Sequence, residues 1–183
     1  MRKKGFTTIE LLISLPLFGM IMLLIFSVTA SNMRSMNCID KDVELQQQAQ
    51  FIFNFIEEKI IESTGLIYLE DTRGFQKHNT KDKVFLRKII FKNLPDRKDK
   101  GYIFSLSKDP EYAYFNLKYG IGVLGGASVE VGNYIDSIEV EPIPLDMNYN
   151  EADGVVFRIN FIFDGYAATF ENSFHYRNTD GRF

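Results

Sequence analysis

The sequence predicts an α+β fold in which one long N-terminal helix precedes an antiparallel β-sheet head. Three observations predict it. From Leu11 to Val28 every residue is apolar except Ser14 and Ser27, with Pro16 and Gly19 the only helix-weakening positions. From Val43 to Ile60 apolar residues recur at Val43, Leu45, Ala49, Ile52, Phe53, Ile56 and Ile60 with polar residues between them, which is helical periodicity. From Leu66 onward the pattern becomes short strand-like runs divided by turn residues.

The apolar run opens the chain. Its 18 residues suffice to cross a bilayer core of roughly 30 Å as a helix. Arg2, Lys3 and Lys4 precede it, and a cluster of cations stays on the cytoplasmic side, so everything after Ala30 is expected outside. An ordinary secretory signal has a shorter apolar core and a small-residue cleavage site, which fits less well. Glu10 breaks the apolar pattern. An ionisable side chain at membrane depth is costly enough to imply a partner.

No Pro or Gly interrupts the polar stretch Ser31–Cys38, so the spacing predicts one helix continuing to Ser63, with Gly65 as the residue beyond its C-cap. From Thr7 to Ser63 such a helix would span roughly 85 Å. Phe51, Phe55 and Ile61 widen the apolar face that a sheet would cover. The expected divisions are 1–5 as a leader, 6–30 as the membrane half of the helix, 31–64 as its amphipathic half and 65–183 as the head.

Strands are expected over 66–69, 84–94, 102–106, 112–119, 121–124, 134–140, 155–163 and 167–176. Their hairpin-length gaps imply antiparallel pairing, not βαβ crossovers. The aromatic content, 17 Phe and 9 Tyr without Trp, suits a β-rich domain with a Phe-packed core.

Charge and cysteine usage exclude several classes. The chain holds 21 basic and 24 acidic residues; without the three basic residues of the leader, 18 face 24, a formal −6. That balance disfavours nucleic acid as a partner. Cys38 is the single cysteine, so no intrachain disulfide forms; it reads as a tolerated thiol, with an intermolecular link as the alternative.

The segment Lys3-Lys4-Gly5-Phe6-Thr7-Thr8-Ile9-Glu10 and the apolar run after it resemble the class III leader of type IV pilins and pseudopilins. The resemblance implies cleavage after Gly5 by a prepilin peptidase and N-methylation of the new Phe6 terminus. It also implies a role for Glu10, the fifth mature residue, in assembly with other pilin or pseudopilin subunits. It implies a pilin-like fold and a single-pass cell-membrane protein with an extracytoplasmic C-terminal domain, incorporated into a surface pilus or pseudopilus. Glu44–Gln50, Tyr134–Val140 and Ser173–Asn178 look like segments of the larger minor subunits, J-type pseudopilins and PilW-like minor pilins.

Catalytic chemistry finds no foothold. His78 and His175 are the only histidines, and no Ser/His/Asp, HExxH, CxxC or phosphate-loop pattern is present, so an enzyme is not expected. Gly120–Gly126 resembles a dinucleotide loop only superficially and reads as a β connection. No cofactor is expected, with one exception. Asp146, Asn148, Asn150 and Asp153 place oxygen side chains at spacings a calcium ion can use, although a solvated turn explains the same residues better. The expected function is a structural minor pilin or pseudopilin subunit. The alternative is a pilus-tip adhesin or ligand-binding module on the same scaffold.

Overall fold

A computed structural model describes residues 7–93, 101–122 and 125–176. Gly5 and Phe6 lie outside the described residues. The chain divides into two compact units, Met1–Lys41 and Asp42–Phe183. One helix, α1 (Thr8–Ile61), contributes to both.

In the first unit α1 buries no face among the described residues. No residue between Thr8 and Lys41 is buried, and Ile9, Leu12, Leu23 and Phe26 are each exposed by 70% or more. Three hydroxyl groups along this stretch bond to the helix itself: Ser14 Oγ donates to the Leu11 carbonyl, Thr29 Oγ1 to that of Ile25 and Ser35 Oγ to that of Ser31. Polar side chains satisfied in this way can lie in an apolar medium without a protein partner. Pro16 lies inside the helix and, lacking an N–H, removes the usual donor to the carbonyl of Leu12.

In the second unit α1 buries one face, made of Leu45, Ala49, Ile52, Phe53, Ile56 and Ile60. The spacing of these residues holds them on a single stripe. Val43, Phe51 and Ile61, expected on that face, fall outside it and stay 37% to 58% exposed. Phe55 lies on its border, stacking on Phe51 and meeting Phe104 and Tyr119 edge-on. The helix stops earlier than expected. Ser63 Oγ donates to the Lys59 carbonyl at 2.7 Å and closes the last turn, so Ser63 and Gly65 belong to the first strand and not to a C-cap.

Seven strands follow: β1 (Ser63–Asp71), β2 (Val84–Asn93), β3 (Gly101–Lys108), β4 (Phe115–Ile121), β5 (Val129–Ile143), β6 (Gly154–Phe163) and β7 (Tyr166–His175). All pair antiparallel in sequence order, as expected. A further pairing of Val84 with Val140 and Phe85 with Glu139 joins β2 to β5, so β2, β3, β4 and β5 close on themselves as a small barrel. The length of β5 permits this. Its first half pairs with β4 and its second half with β6, with irregular register near Ile135.

Several expected strand boundaries move: β1 runs over Ser63–Asp71 where 66–69 was expected, and β5 over Val129–Ile143 where 134–140 was expected. Tyr112 lies in a turn, because Asp109 Oδ1 accepts bonds from the Glu111 and Tyr112 backbone N–H groups and bends the chain before β4. Ile121 ends β4 instead of opening another strand, and residues 123 and 124 lie outside the described residues.

Phe91, Phe104, Phe157 and Phe161 lie with the helix stripe in one core. Helix and sheet come close at Gly132 on β5, where a Cβ would stand 2.3 Å from Ile52 Cδ1 and 2.6 Å from its Cγ1. Ile52 is fully buried and has no room to retreat. Gly132→Ala is therefore expected to lower stability by about 1–3 kcal/mol, the usual cost of overpacking, measured by denaturation of the full chain in detergent. A loss below about 0.5 kcal/mol would show that the helix docks less tightly than described.

Candidate functional site

The first candidate is the start of α1. Thr7 precedes the first helical residue, and its backbone N–H and Oγ1–H both donate to Glu10 Oε2 at 2.9 Å. In return the Glu10 N–H donates to Thr7 Oγ1 at 3.3 Å. This reciprocal arrangement is a capping box, which satisfies backbone donors that the first helical turn leaves without partners. Its signature, Thr-x-x-Glu before an apolar run, stands in the sequence at Thr7–Glu10 but escapes a reading that treats Glu10 only as a charge. The partner that a carboxylate here requires is thus, at least in part, the N-cap of its own helix. Gly5 and Phe6, the expected processing residues, lie outside the described residues.

The second candidate is the unburied surface of α1. It is long and apolar enough to cross a membrane. Cys38 lies exposed on the same helix.

The third is the loop of Asp146, Asn148, Asn150 and Asp153. The structure places Asp146, Asn150 and Asp153 exposed and Asn148 half-buried. What organises the loop is Tyr149, which is fully buried, its hydroxyl 2.6 Å from the Val140 carbonyl and 3.1 Å from that of Asp82. Burial drives the Tyr149 phenol pKa upward, so it remains a donor. Backbone bonds from Tyr149 to Thr80, Asn150 to His78 and Asp153 to Ile143 fix the rest. Among the described residues, no group of three or more His, Cys, Asp or Glu is placed to hold a metal ion. The loop's order thus comes from a buried phenol and backbone hydrogen bonds.

A row of charges crosses the outer face of the sheet, unnoticed in the sequence because its members are far apart along the chain. Glu139 accepts from Lys83 Nζ at 2.6 Å and from Arg158 Nη1 at 3.1 Å, and Arg158 also pairs with Glu171. Glu139, Arg158 and Glu171 are direct cross-strand partners on β5, β6 and β7. The bond from Lys83, followed by that from Arg158, holds the Glu139 carboxyl below its ordinary range, against the opposing effect of burial. No residue of this row is arranged as nucleophile and base. Comparison with protein-family models, with curated proteins and with solved structures finds no match to this chain.

Two outcomes are expected. The full chain in detergent should melt at the same temperature in millimolar calcium as in chelator; a rise of several degrees would show that the loop binds the ion, since a ligand of the native state stabilises it. Glu139→Gln should lower stability at neutral pH by about 0.5–1 kcal/mol. Because the folded-state pKa of Glu139 is depressed, its contribution is present above the ordinary carboxylate range and is lost as pH falls through the depressed value. The gap between variant and wild type should close in acid, and a gap unchanged across that range would contradict the ion-pair role.

Proposed function

We propose that the chain is a non-enzymatic, pilin-like structural subunit: processed after Gly5, anchored through α1 and assembled with sibling subunits into a type IV pilus or pseudopilus. The observation that carries this reading is the unburied apolar surface from Thr8 onward, headed by the Thr7–Glu10 capping box directly after Lys4-Gly5-Phe6. An apolar surface of that length requires a covering phase, either the bilayer before assembly or the helices of other subunits after it. The cations of the leader favour export of the head. A plain signal anchor would share the length and charges and would still use the capping box. What it would not use is the charge of Glu10.

That difference makes the test specific. Glutamine also serves at the third position of a capping box, so Glu10→Gln preserves the helix start while removing the charge. Cutting after Gly5 leaves Thr7 in place and creates an amine on Phe6. In a low-dielectric phase the attraction between that amine and the Glu10 carboxylate of a neighbouring subunit far exceeds its value in water. Glu10→Gln is therefore expected to insert, be cut and fold normally but to enter filaments at least tenfold less than wild type, measured by shearing and immunoblot; tenfold corresponds to about 1.4 kcal/mol of lost pairing. Normal incorporation would reduce Glu10 to a cap. Mass spectrometry should find the mature chain beginning at a methylated Phe6. An intact Met1 in cells with a working peptidase would remove the leader assignment.

A further inference from the structure

Two strands of the sheet, β1 and β7, have a partner strand on one side only, and their open edges differ. β1 is irregular: its register with β2 shifts at Ser63/Gly65, Leu66/Tyr68 and Glu70/Asp71. The chain after it also turns back along it, with Gln76 bridged to Glu70 and the Lys77 N–H donating to the Leu69 carbonyl at 2.8 Å. Bulges and covering loops are how natural sheets keep an edge from pairing with other chains. β7 has neither. Its pairing with β6, from Tyr166 opposite Phe163 to His175 opposite Gly154, runs without a shift, and it contains no Pro, Lys or Arg.

The groups that this edge presents follow from its register. The Asp164-Gly165 turn is a two-residue hairpin loop with φ of 47° and 75°, which makes Phe163 and Tyr166 a hydrogen-bonded pair. Ala167, Thr169, Glu171, Ser173 and His175 therefore turn their N–H and carbonyl groups away from β6. Asn172 Oδ1 takes the Ser173 N–H at 2.9 Å, while among the described residues nothing bonds the outward N–H groups of Ala167, Thr169 and Glu171.

Both faces of the sheet are unfinished here. On the inner face Ile159 and Phe161 of β6 are fully buried, whereas their partners on β7, Phe170 and Ala168, stay half-buried. On the outer face the charges alternate from Glu139 to Arg158 to Glu171, and the series stops on a half-exposed carboxylate. Arg158 Nε and Nη2 both bond Glu171 Oε2, which leaves Oε1 without a hydrogen bond among the described residues.

We propose that the open edge of β7 takes up an extended segment of another polypeptide as an eighth strand, with an arginine or lysine opposite Glu171 and apolar residues on either side of that cation. The outward backbone groups of β7 supply the ladder hydrogen bonds. Because side chains alternate between the two faces, the cation continues the charge row on the outer face while its apolar neighbours fall on the inner face beside Phe170. A second copy of β7 does not fit, since it has no lysine or arginine to meet Glu171. The site uses neither Glu10 nor the apolar run of α1, so it does not depend on entry into a filament.

The experiment titrates three blocked peptides of alternating valine and threonine into the full chain in a nonionic detergent at constant ionic strength. One carries arginine at a central threonine position and one carries glutamate there. The third is the arginine peptide with its arginine and threonine amides N-methylated, so that the edge facing β7 cannot donate. Calorimetry follows binding, and amide hydrogen exchange locates it. The arginine peptide is expected to bind with a Kd of about 1 mM or tighter. The glutamate peptide should bind at least about threefold weaker, as a like-charge cross-strand pair would, and the methylated peptide at least about tenfold weaker. Exchange should slow in β7 and stay unchanged in β1. Thr169→Pro removes one outward N–H at an exposed edge position, where proline is tolerated, and should melt as wild type while losing the arginine peptide. Glu171→Lys should reverse the preference between the arginine and glutamate peptides, and it decides the matter should the proline variant unfold. No binding of the arginine peptide at several millimolar, equal binding of the methylated or the glutamate peptide, protection in β1 instead of β7, or an unreversed preference in Glu171→Lys would each overturn the assignment.

Discussion

The structure depends on one docking surface, the stripe Leu45, Ala49, Ile52, Phe53, Ile56 and Ile60 against the inner face of the sheet. These residues are the only part of α1 that is buried. Apolar burial of this kind is the main favourable term in folding, and here it fixes which face of α1 meets the head. Gly132 lets β5 approach that stripe closely, and the rings of Phe53 and Phe55 engage Phe174, Phe104 and Tyr119. The stretch of α1 from Leu11 to Val28 is as apolar as the stripe, yet none of its residues is buried among the described residues. A single helix therefore presents two apolar surfaces, one buried against the sheet and one long and apolar enough to cross a membrane.

Closure of the sheet is the complementary constraint. A meander of seven strands in sequence order would leave two free edges and a flat face, but the β2–β5 pairing curls four strands around the Phe core. The long β5 strand makes the curl possible because it changes partner along its length, from β4 to β6. On the outer face the row Glu139–Arg158–Glu171 ties β5, β6 and β7 together where side chains meet water. Each such exposed pair contributes little by itself, and the row acts mainly as a register marker.

Much of this was legible in the sequence, and the reasons are physical. The apolar run and the 3.6-residue period from Leu45 to Ile60 depend only on local spacing, so the helix and all six of its buried positions could be read directly; Val43, Phe51 and Ile61 failed because periodicity alone does not set where a stripe ends. Antiparallel strands were legible from short runs and turn residues. Closure was not, because a pairing between Val84 and Val140 has no local signature. The same holds for the charge row, whose members Glu139, Arg158 and Glu171 come from separate strands. The capping box at Thr7–Glu10 was present in four adjacent residues and was obscured by the attention an ionisable group draws in an apolar run. In the 146–153 loop the oxygen side chains were conspicuous in the sequence, whereas the residue that organises it, Tyr149, looked incidental.

The central claim is that α1 lies in the membrane with its start inside and the head outside. The lone thiol of Cys38, exposed on α1 beyond the apolar run, reports on this directly. Intact cells expressing the chain alone can be treated with a membrane-impermeant maleimide, before and after permeabilisation. The account predicts full labelling of Cys38 without permeabilisation once any outer barrier is removed. Labelling only after the cytoplasmic membrane is opened would place the head inside the cell and contradict it.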